Sequence, residues 1–237
     1  VFFSACVNRA MGSASGDSEQ RGLNEVIGSL FHKAKLQMVV LPEMEQQCCG
    51  LPFSSKGATA AAEQSLRRLE QALWEATEQG ALPVLCDASP CTARMVEQFT
   101  RPIQLFDSVQ FALQQLIPRL QQSQQLEQIA LHIPCSARKQ GLEPLFLELA
   151  QRCAKQVFQP EEEGCCGFSG DKGFTLPELN QSALAGLKKQ LPKGCSEGFS
   201  SSRTCEIGLS RHSELPYRSL LYLVDRCFTA PAETSSI

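Results

Sequence analysis

The stretch that decides the fold reads Glu45-Gln46-Gln47-Cys48-Cys49-Gly50-Leu51-Pro52-Phe53-Ser54. It returns later in the chain as Glu162-Glu163-Gly164-Cys165-Cys166-Gly167-Phe168-Ser169-Gly170, so that Cys165 lies 117 residues after Cys48 in a chain of 237. Each motif follows a short apolar stretch that ends in a cysteine, at 1–6 and at 129–135. Each also precedes a further cysteine, Cys86 in the first half and Cys205 in the second. A repeat of this length predicts two homologous units, which we place at residues 1–122 and 123–237.

Runs typical of strands alternate with runs typical of helices in both halves. In the first half we predict strands at 1–5, 36–41 and 82–85, and helices at 23–36 and 58–74. In the second half we predict strands at 129–133 and 156–159, and helices at 144–154 and 177–191. This alternation predicts an α/β fold of two tandem parallel-sheet units, which the repeat relates by a pseudo-twofold axis. The Gln-rich junction at 114–125 is a linker or surface helix end, or a helix packed between the halves.

The overall composition is that of a globular protein with nearly balanced charge. The chain has 22 basic and 25 acidic residues, and 43% of its residues are hydrophobic. We expect no nucleic-acid partner, because proteins that bind phosphate backbones normally show a basic face. We also expect no transmembrane segment, because no apolar run approaches the roughly 20 residues that a spanning helix needs. The chain begins at Val1 in a strand-like run without a signal peptide, so we expect a fragment whose start lies upstream.

Twelve cysteines are the outlying feature of the composition. They could form a disulfide framework or hold metal, and two observations favour metal. Nothing signals secretion, where disulfides are common, and adjacent cysteines rarely bond to each other because the small ring strains the peptide. Because ligands of parallel sheets sit at the carboxyl ends of the strands, we predict two groups of metal ligands. The first is Cys6, Cys48, Cys49, Cys86 and Cys91, and the second is Cys135, Cys165, Cys166 and Cys205.

The number and spacing of these thiols indicate which metal they hold. A tetrahedral zinc ion needs four ligands, usually as spaced pairs. Five thiols that include a vicinal pair suit an iron–sulfur cluster better, because several irons share the ligands. Cys153 and Cys227 lie on apolar helical stretches and are interpreted as inert core cysteines, and Cys195 is left out of both groups. His132 either donates a hydrogen bond to cluster sulfur or is a structural residue at a strand end.

The doubled pattern of cysteines resembles the cysteine-rich CCG domain pair. That pair occurs in the cysteine-rich component of heterodisulfide reductase, in the iron–sulfur components of glycolate oxidase, and at the C-terminal end of FAD-linked D-lactate and D-2-hydroxyglutarate dehydrogenases. The sequences of several stretches are most similar to those of the last group. These stretches are Ala5-Cys6-Val7-Asn8-Arg9-Ala10-Met11-Gly12, Cys48-Cys49-Gly50-Leu51-Pro52-Phe53-Ser54-Ser55-Lys56-Gly57, Asp87-Ala88-Ser89-Pro90-Cys91-Thr92, Ser202-Arg203-Thr204-Cys205-Glu206-Ile207-Gly208-Leu209 and Pro216-Tyr217-Arg218-Ser219.

The resemblance implies an iron–sulfur electron-transfer module of a D-2-hydroxy-acid dehydrogenase of the D-lactate type. It implies [4Fe-4S] clusters, which aerobic handling can remove, and FAD only in an upstream domain. The expected partners are that FAD domain, a ferredoxin-like iron–sulfur segment of the parent chain, and a quinone or cytochrome that accepts the electrons. The expected location is cytoplasmic, peripheral at the inner face of the membrane. No catalytic residue is predicted, and the segment alone should be inactive as a dehydrogenase.

The chain departs from the heterodisulfide reductase pattern, in which each motif ends in Cys-x-x-Cys. Here the first motif ends in Cys86-x4-Cys91, with Ser89 at the x-x-Cys position. The second has Cys205 alone, with Gly208 where the last cysteine would fall. Two alternatives stay open at this point, a heterodisulfide reductase-like catalytic domain and a zinc-stabilised interaction domain.

Overall fold

The first half of the chain folds around a small parallel sheet. A computed structural model describes residues 1–12, 17–160 and 165–232. In it the sheet has the order β1-β2-β3, built from β1 (Phe2–Phe3), β2 (Val84–Cys86) and β3 (Leu105–Asp107). Val40 adds an isolated parallel bridge to Phe2. The helices of this half are α1 (Cys6–Ala10), α2 (Leu23–Lys33), α3 (Leu51–Ser54), α4 (Thr59–Ala76), α5 (Ser89–Gln98) and α6 (Ser108–Phe111), with a 3-10 turn at Met44–Gln46.

The second half folds around a four-stranded parallel sheet in the order β6-β5-β7-β8. Its strands are β5 (Leu126–Leu131), β6 (Ala154–Phe158), β7 (Gly198–Ser200) and β8 (Tyr217–Ser219), and the short strands β4 (Gln121–Gln122) and β9 (Phe228–Thr229) pair separately and antiparallel. Its helices are α7 (Cys135–Lys139), α8 (Glu143–Cys153), α9 (Lys172–Thr175), α10 (Pro177–Ala183), α11 (Leu187–Gln190), α12 (Arg203–Ser213) and α13 (Leu220–Cys227). The α/β prediction is confirmed. The pseudo-twofold axis and the boundary at 122/123 stay predictions.

Two predicted elements differ from those observed, and a third agrees with one of its alternatives. The strand expected at 36–41 is reduced to the bridge at Val40, because α2 ends at Lys33 and the chain then turns through Lys35, whose φ is 53°. The helix expected at 177–191 is two short helices, α10 and α11. The junction at 114–125 is helical through Arg119 and buries Leu116, in agreement with a helix packed between the halves.

One hydrophobic core joins the two halves. Phe2, Ile27 and Leu30 of the first half belong to the same buried cluster as Phe146 and Phe199 of the second. Burial of several large side chains at this seam stabilises the contact, since each contributes about 1.5–3 kcal/mol. Cys153 and Cys227 lie in this core, are fully buried, and share a hydrogen bond between their thiols. The halves therefore hold each other in a fixed relation.

A polar contact on the same seam carries a buried carboxyl group. Helix α12 packs against α1, and Arg203 of α12 donates to the carbonyl of Gly12 at 2.7 Å and lies 3.3 Å from Glu206. Burial raises the pKa of Glu206 to about 7, against a weaker opposing effect of Arg203. The carboxyl therefore takes up a proton at a higher pH than an exposed glutamate does. Among the described residues, we find no helix long and apolar enough to span a bilayer.

The variant Glu206→Gln is expected to flatten the pH dependence of thermal stability. Because the folded-state pKa of about 7 lies above the ordinary 4.5, the folded state binds more protons than the unfolded state between these values. The stability from this group is present below 4.5 and lost as the pH rises through about 7. The Tm of the unmodified protein should fall between about pH 5 and about pH 7.5, and that of the variant should fall less.

Glu63→Gln is the matched control, because Glu63 is exposed on α4. Its Tm should follow the unmodified protein over the same pH range. Equal slopes for Glu206→Gln and the unmodified protein would show that Glu206 does not titrate as described.

Candidate metal centres

The structure gathers five thiols of the first half into one group, the first thiol set (Cys6, Cys48, Cys49, Cys86 and Cys91). Cys86 is the last residue of β2, Cys6 begins α1, and Cys91 lies in the first turn of α5. The sulfur atoms of Cys49 and Cys91 are 3.2 Å apart. Thiol hydrogen bonds also join Cys6 to Cys48, Cys48 to Cys49, and Cys86 to Cys91. The carboxyl ends of β1 and β2 therefore bring Cys6, Cys86 and Cys91 together as expected, and the stretch after the 3-10 turn at Met44–Gln46 adds Cys48 and Cys49.

Four thiols of the second half form the second thiol set (Cys135, Cys165, Cys166 and Cys205). Cys135 begins α7 and Cys205 lies in the first turn of α12. The sulfur atoms of Cys166 and Cys205 are 3.0 Å apart, and Cys135 shares a thiol hydrogen bond with Cys165. The two sets contain the nine residues predicted from the sequence. Their role as metal ligands stays a prediction.

A glycine turn lets both members of each vicinal pair reach one set. Gly50 has φ +78° and Gly167 has φ +69°, a conformation that favours glycine. A Cβ atom on Gly50 would lie 2.3 Å from the Ala62 carbonyl oxygen, and one on Gly167 would lie 2.5 Å from the Leu179 carbonyl oxygen. The N–H of each glycine donates to the first sulfur of its pair, at 3.3 Å to Cys48 and 3.4 Å to Cys165. Glycine is thus required both for the turn and for the close approach.

Two residues that the sequence did not reveal hold the second cysteine of each pair. Arg94 Nε of α5 donates to the Cys49 carbonyl at 2.8 Å. Asn180 of α10 donates to the Cys166 carbonyl. Gly208 makes the second contact possible, because a Cβ atom there would lie 2.4 Å from Asn180 Nδ2. The position of Arg94, three residues after Cys91 and so one helical turn away, could have indicated its role. Nothing in the local sequence indicates the role of Asn180.

The equivalence of the cysteines between the halves corrects one expectation. Cys86 ends β2 and pairs with Asp107, while Ser200 ends β7 and pairs with Ser219. Asp107 and Ser219 each cap the helix that follows, by accepting from the N–H two residues on. Cys205 therefore corresponds to Cys91 rather than to Cys86, since each stands five residues after its strand end. Ser200 occupies the place of Cys86, and the second set lacks a fifth thiol there.

His132 and Cys195 lie near the second set in other roles. His132 is buried, and its Nδ1 is 2.9 Å from Ser200 Oγ. Burial, with a smaller effect of Arg138, lowers the pKa of His132 to about 3, so the ring is neutral. This contact agrees with the structural interpretation of His132. Cys195 donates to the Glu197 carbonyl at 3.5 Å, and burial raises the pKa of its thiol.

Hydrogen bonds between the thiols favour one thiolate in each set. Cys48 accepts from Cys49 and Cys6, which lowers the pKa of Cys48 to about 2. The same bonds raise the pKa of Cys6, and that of Cys49 to about 12. In the second set the bond from Cys205 lowers the pKa of Cys166. Each set therefore contains one thiol whose pKa its neighbours lower, which favours the thiolate, the form of cysteine that binds metal.

The donor atoms of both sets are sulfur, and the five thiols of the first set exceed the four ligands of a tetrahedral zinc ion. Among the described residues no three His, Cys, Asp or Glu side chains are arranged to hold one ion. Four buried polar atoms beside the cysteines lack a protein partner within the described ranges: Gln47 Oε1, Ser136 Oγ, Asn180 Oδ1 and Arg203 Nε. A group bound at the thiols could supply hydrogen-bonding partners for these atoms.

The two sets lie on neighbouring loops of the two halves. Ser89, just before Cys91, donates its N–H to the Ser201 carbonyl at 3.1 Å, and the two hydroxyl oxygens are 2.5 Å apart. Ser89 also bonds Asp107 at the end of β3. Farther out, Lys56 and Asp171, which follow the two vicinal motifs, form an ion pair of 2.6 Å. The geometry thus places two thiol centres side by side.

Comparison with known proteins agrees with this arrangement. The chain is similar to one of the subunits of anaerobic glycerol-3-phosphate dehydrogenase, both in Escherichia coli K12 and in Escherichia coli O157:H7, at 24% identity over 141 residues in each case. The match covers 55% of this chain and 36% of each relative, so the chain matches only about a third of their length. The family model of the cysteine-rich CCG domain matches residues 1–95 and 129–192, one segment in each half. The chain therefore belongs to the cysteine-rich CCG domain family.

Proposed function

We propose that the chain is an iron–sulfur electron-transfer module of a dehydrogenase. The observation that carries the proposal is the pair of thiol sets, each with a vicinal pair on a glycine turn and each at the carboxyl edge of a parallel sheet. Five ligands in the first set and four in the second suit clusters in which several irons share the sulfurs. The relatives, which are named as parts of a dehydrogenase, support the same class of function.

The residues of the chain have distinct parts in this function. The cysteines of the two sets would hold [4Fe-4S] clusters, which store and release single electrons when bound. The N–H groups of Gly50 and Gly167 donate to sulfur, and hydrogen bonds of this kind tune a reduction potential. Arg94 and Asn180 fix the carbonyls behind Cys49 and Cys166. The buried thiols Cys49, Cys86 and Cys91 are kept from water by the surrounding core.

The parent enzyme is proposed to oxidise a D-2-hydroxy acid of the D-lactate type. The sequence of the motifs, which resembles that of D-lactate dehydrogenases, supports this substrate class. The name of the relatives points instead to glycerol 3-phosphate. In this arrangement an upstream FAD domain oxidises the substrate, and a ferredoxin-like segment and the present module pass electrons to a quinone or cytochrome. The protein would then lie on the cytoplasmic side, peripheral at the inner face of the membrane.

Removing one ligand of the second set should abolish one cluster only. Anaerobic reconstitution of the unmodified protein is expected to give about four irons and four sulfides per bound cluster. Cys205→Ser is expected to lose the visible absorbance and iron of the second set and to keep those of the first, because Cys205 is in contact with Cys166. Iron and sulfide analysis together with absorbance and EPR spectra measures the result.

Cys153→Ala is the matched control, because Cys153 is buried like Cys205 but lies in the core away from both sets. It should keep both clusters and lose about 1 kcal/mol of stability through packing. Loss of iron in Cys153→Ala with retention in Cys205→Ser would reverse the assignment. Stoichiometric zinc without iron would support the zinc-stabilised interaction domain instead.

The substrate class has a separate test in the parent protein with its flavin domain. D-lactate, added anaerobically, is expected to reduce the clusters and lower their visible absorbance, and glycerol 3-phosphate is expected to leave it unchanged. The present chain alone should respond to neither compound, because substrate oxidation needs the flavin. Reduction by glycerol 3-phosphate only would make the D-2-hydroxy-acid part of the proposal wrong and leave the electron-transfer part standing.

A further inference from the structure

The two thiol sets differ in their access to solvent. Cys49, Cys86 and Cys91 of the first set are buried, and its other two thiols are partly covered. In the second set Cys135 and Cys165 are exposed. The surface beside them is apolar, with exposed Phe174 on α9, Leu179 on α10 and Leu176 between the two helices. An external molecule can therefore approach the second set much more closely than the first.

The sets also differ in one donor atom at an equivalent position. Cys86 at the end of β2 shares a thiol hydrogen bond with Cys91. Ser200 at the end of β7 holds the corresponding place and bonds the neutral ring of His132 instead. Ser202 adds a hydroxyl hydrogen bond to the Cys205 thiol. The first set is thus richer in sulfur, and the second is richer in neutral hydrogen-bonding groups.

Both differences act on the reduction potential in the same direction. An additional thiolate brings negative charge, which stabilises the oxidised form of a cluster and lowers its potential. Burial opposes the arrival of a further negative charge and lowers the potential as well. Exposure to water, which is greater in the second set, and the hydrogen bond from Ser202 to Cys205 raise it. The contact between Ser89 and Ser201 joins the loops that carry Cys91 and Cys205, so the two sites lie on neighbouring loops.

We propose that the two sets form a directed pair, in which the first is the low-potential inner site and the second is the high-potential site that meets the external partner. The residue at the strand end, Cys86 in the first set and Ser200 in the second, separates their potentials. This inference rests on the proposed iron–sulfur function. With clusters bound, the first site would take one electron from the reduced flavin domain, and the second would pass it to a one-electron acceptor such as a cytochrome. No bond forms or breaks in these transfers, and the acceptor gains the electron that the flavin loses.

Exchanging the two strand-end residues tests the assignment. In anaerobic redox titrations of the reconstituted protein, followed by EPR, Cys86→Ser is expected to raise the lower midpoint potential and leave the higher one in place. Ser200→Cys is expected to lower the higher midpoint and leave the lower one in place. Cys153→Ser, which makes the same chemical change in the core, should move neither.

Access to the two sets is measured on the unmodified chain without metal, and this keeps the proposal testable if Ser200→Cys fails to fold. Iodoacetamide followed by mass spectrometry should alkylate Cys135 and Cys165 at least about tenfold faster than Cys86 and Cys91, because reaction follows exposure and thiolate character. Equal rates would overturn the assignment of the second set as the outer site.

The outcomes separate this inference from the proposed function. If both sets bind iron but Cys86→Ser leaves the lower midpoint unchanged, or raises the higher one instead, the directed pair is wrong and the iron–sulfur function stands. If neither set binds iron under anaerobic reconstitution, the proposed function fails and the directed pair fails with it.

Discussion

The backbone turn after each vicinal cysteine pair is the constraint on which the rest of the site depends. In an extended strand two successive side chains point to opposite faces, so an adjacent pair could not serve one centre. The left-handed turn at Gly50 and at Gly167 changes the chain direction and donates an N–H to the first sulfur. A side chain at either glycine would collide with a backbone carbonyl of a packed helix. The helices α4 and α10 can pack closely against the thiols only because Gly50 and Gly167 carry no side chain.

The parallel sheets are the other feature that brings the thiols together. Parallel strands point their carboxyl ends in one direction, so residues that follow different strands meet at one edge. Cys6 and Cys91 reach the first set in this way although they are far apart in sequence. The core shared by both halves then fixes one edge against the other. As a result, the loops after β2 and β7 touch at Ser89 and Ser201.

Within the repeated plan the two halves have diverged in compensating ways. The carbonyl behind each vicinal pair needs a donor, because a buried carbonyl without one costs free energy. The first half uses Arg94 from α5, the helix that follows β2, and the second uses Asn180 from α10. Gly208 stands where Arg94 would be and leaves room for Asn180. The replacement of Cys86 by Ser200 belongs to the same divergence, and it makes the two sets chemically unequal.

The sequence by itself determined the α/β class, the division into two repeated halves and the membership of both thiol sets. These features depend on local signals, namely the spacing of apolar residues, the turn residues and the recurring cysteines. The core role of Cys153 and Cys227 followed from their apolar helical neighbours. The limits of the longer helices were also close, because α4 and α8 carry several turns of clear periodicity.

The tertiary structure decided what depends on contacts between distant residues. Strands β3 and β8 are three residues long, too short for periodicity to reveal them, and yet they fix Cys86 and Ser200 as equivalent positions. The correspondence of Cys205 with Cys91 needed those strands. The roles of Arg94 and Asn180 depend on partners 45 and 14 residues away. The predicted strand at 36–41 is observed as one bridge. A strand needs a hydrogen-bonding neighbour, and this neighbour depends on the packed fold and not on local β propensity.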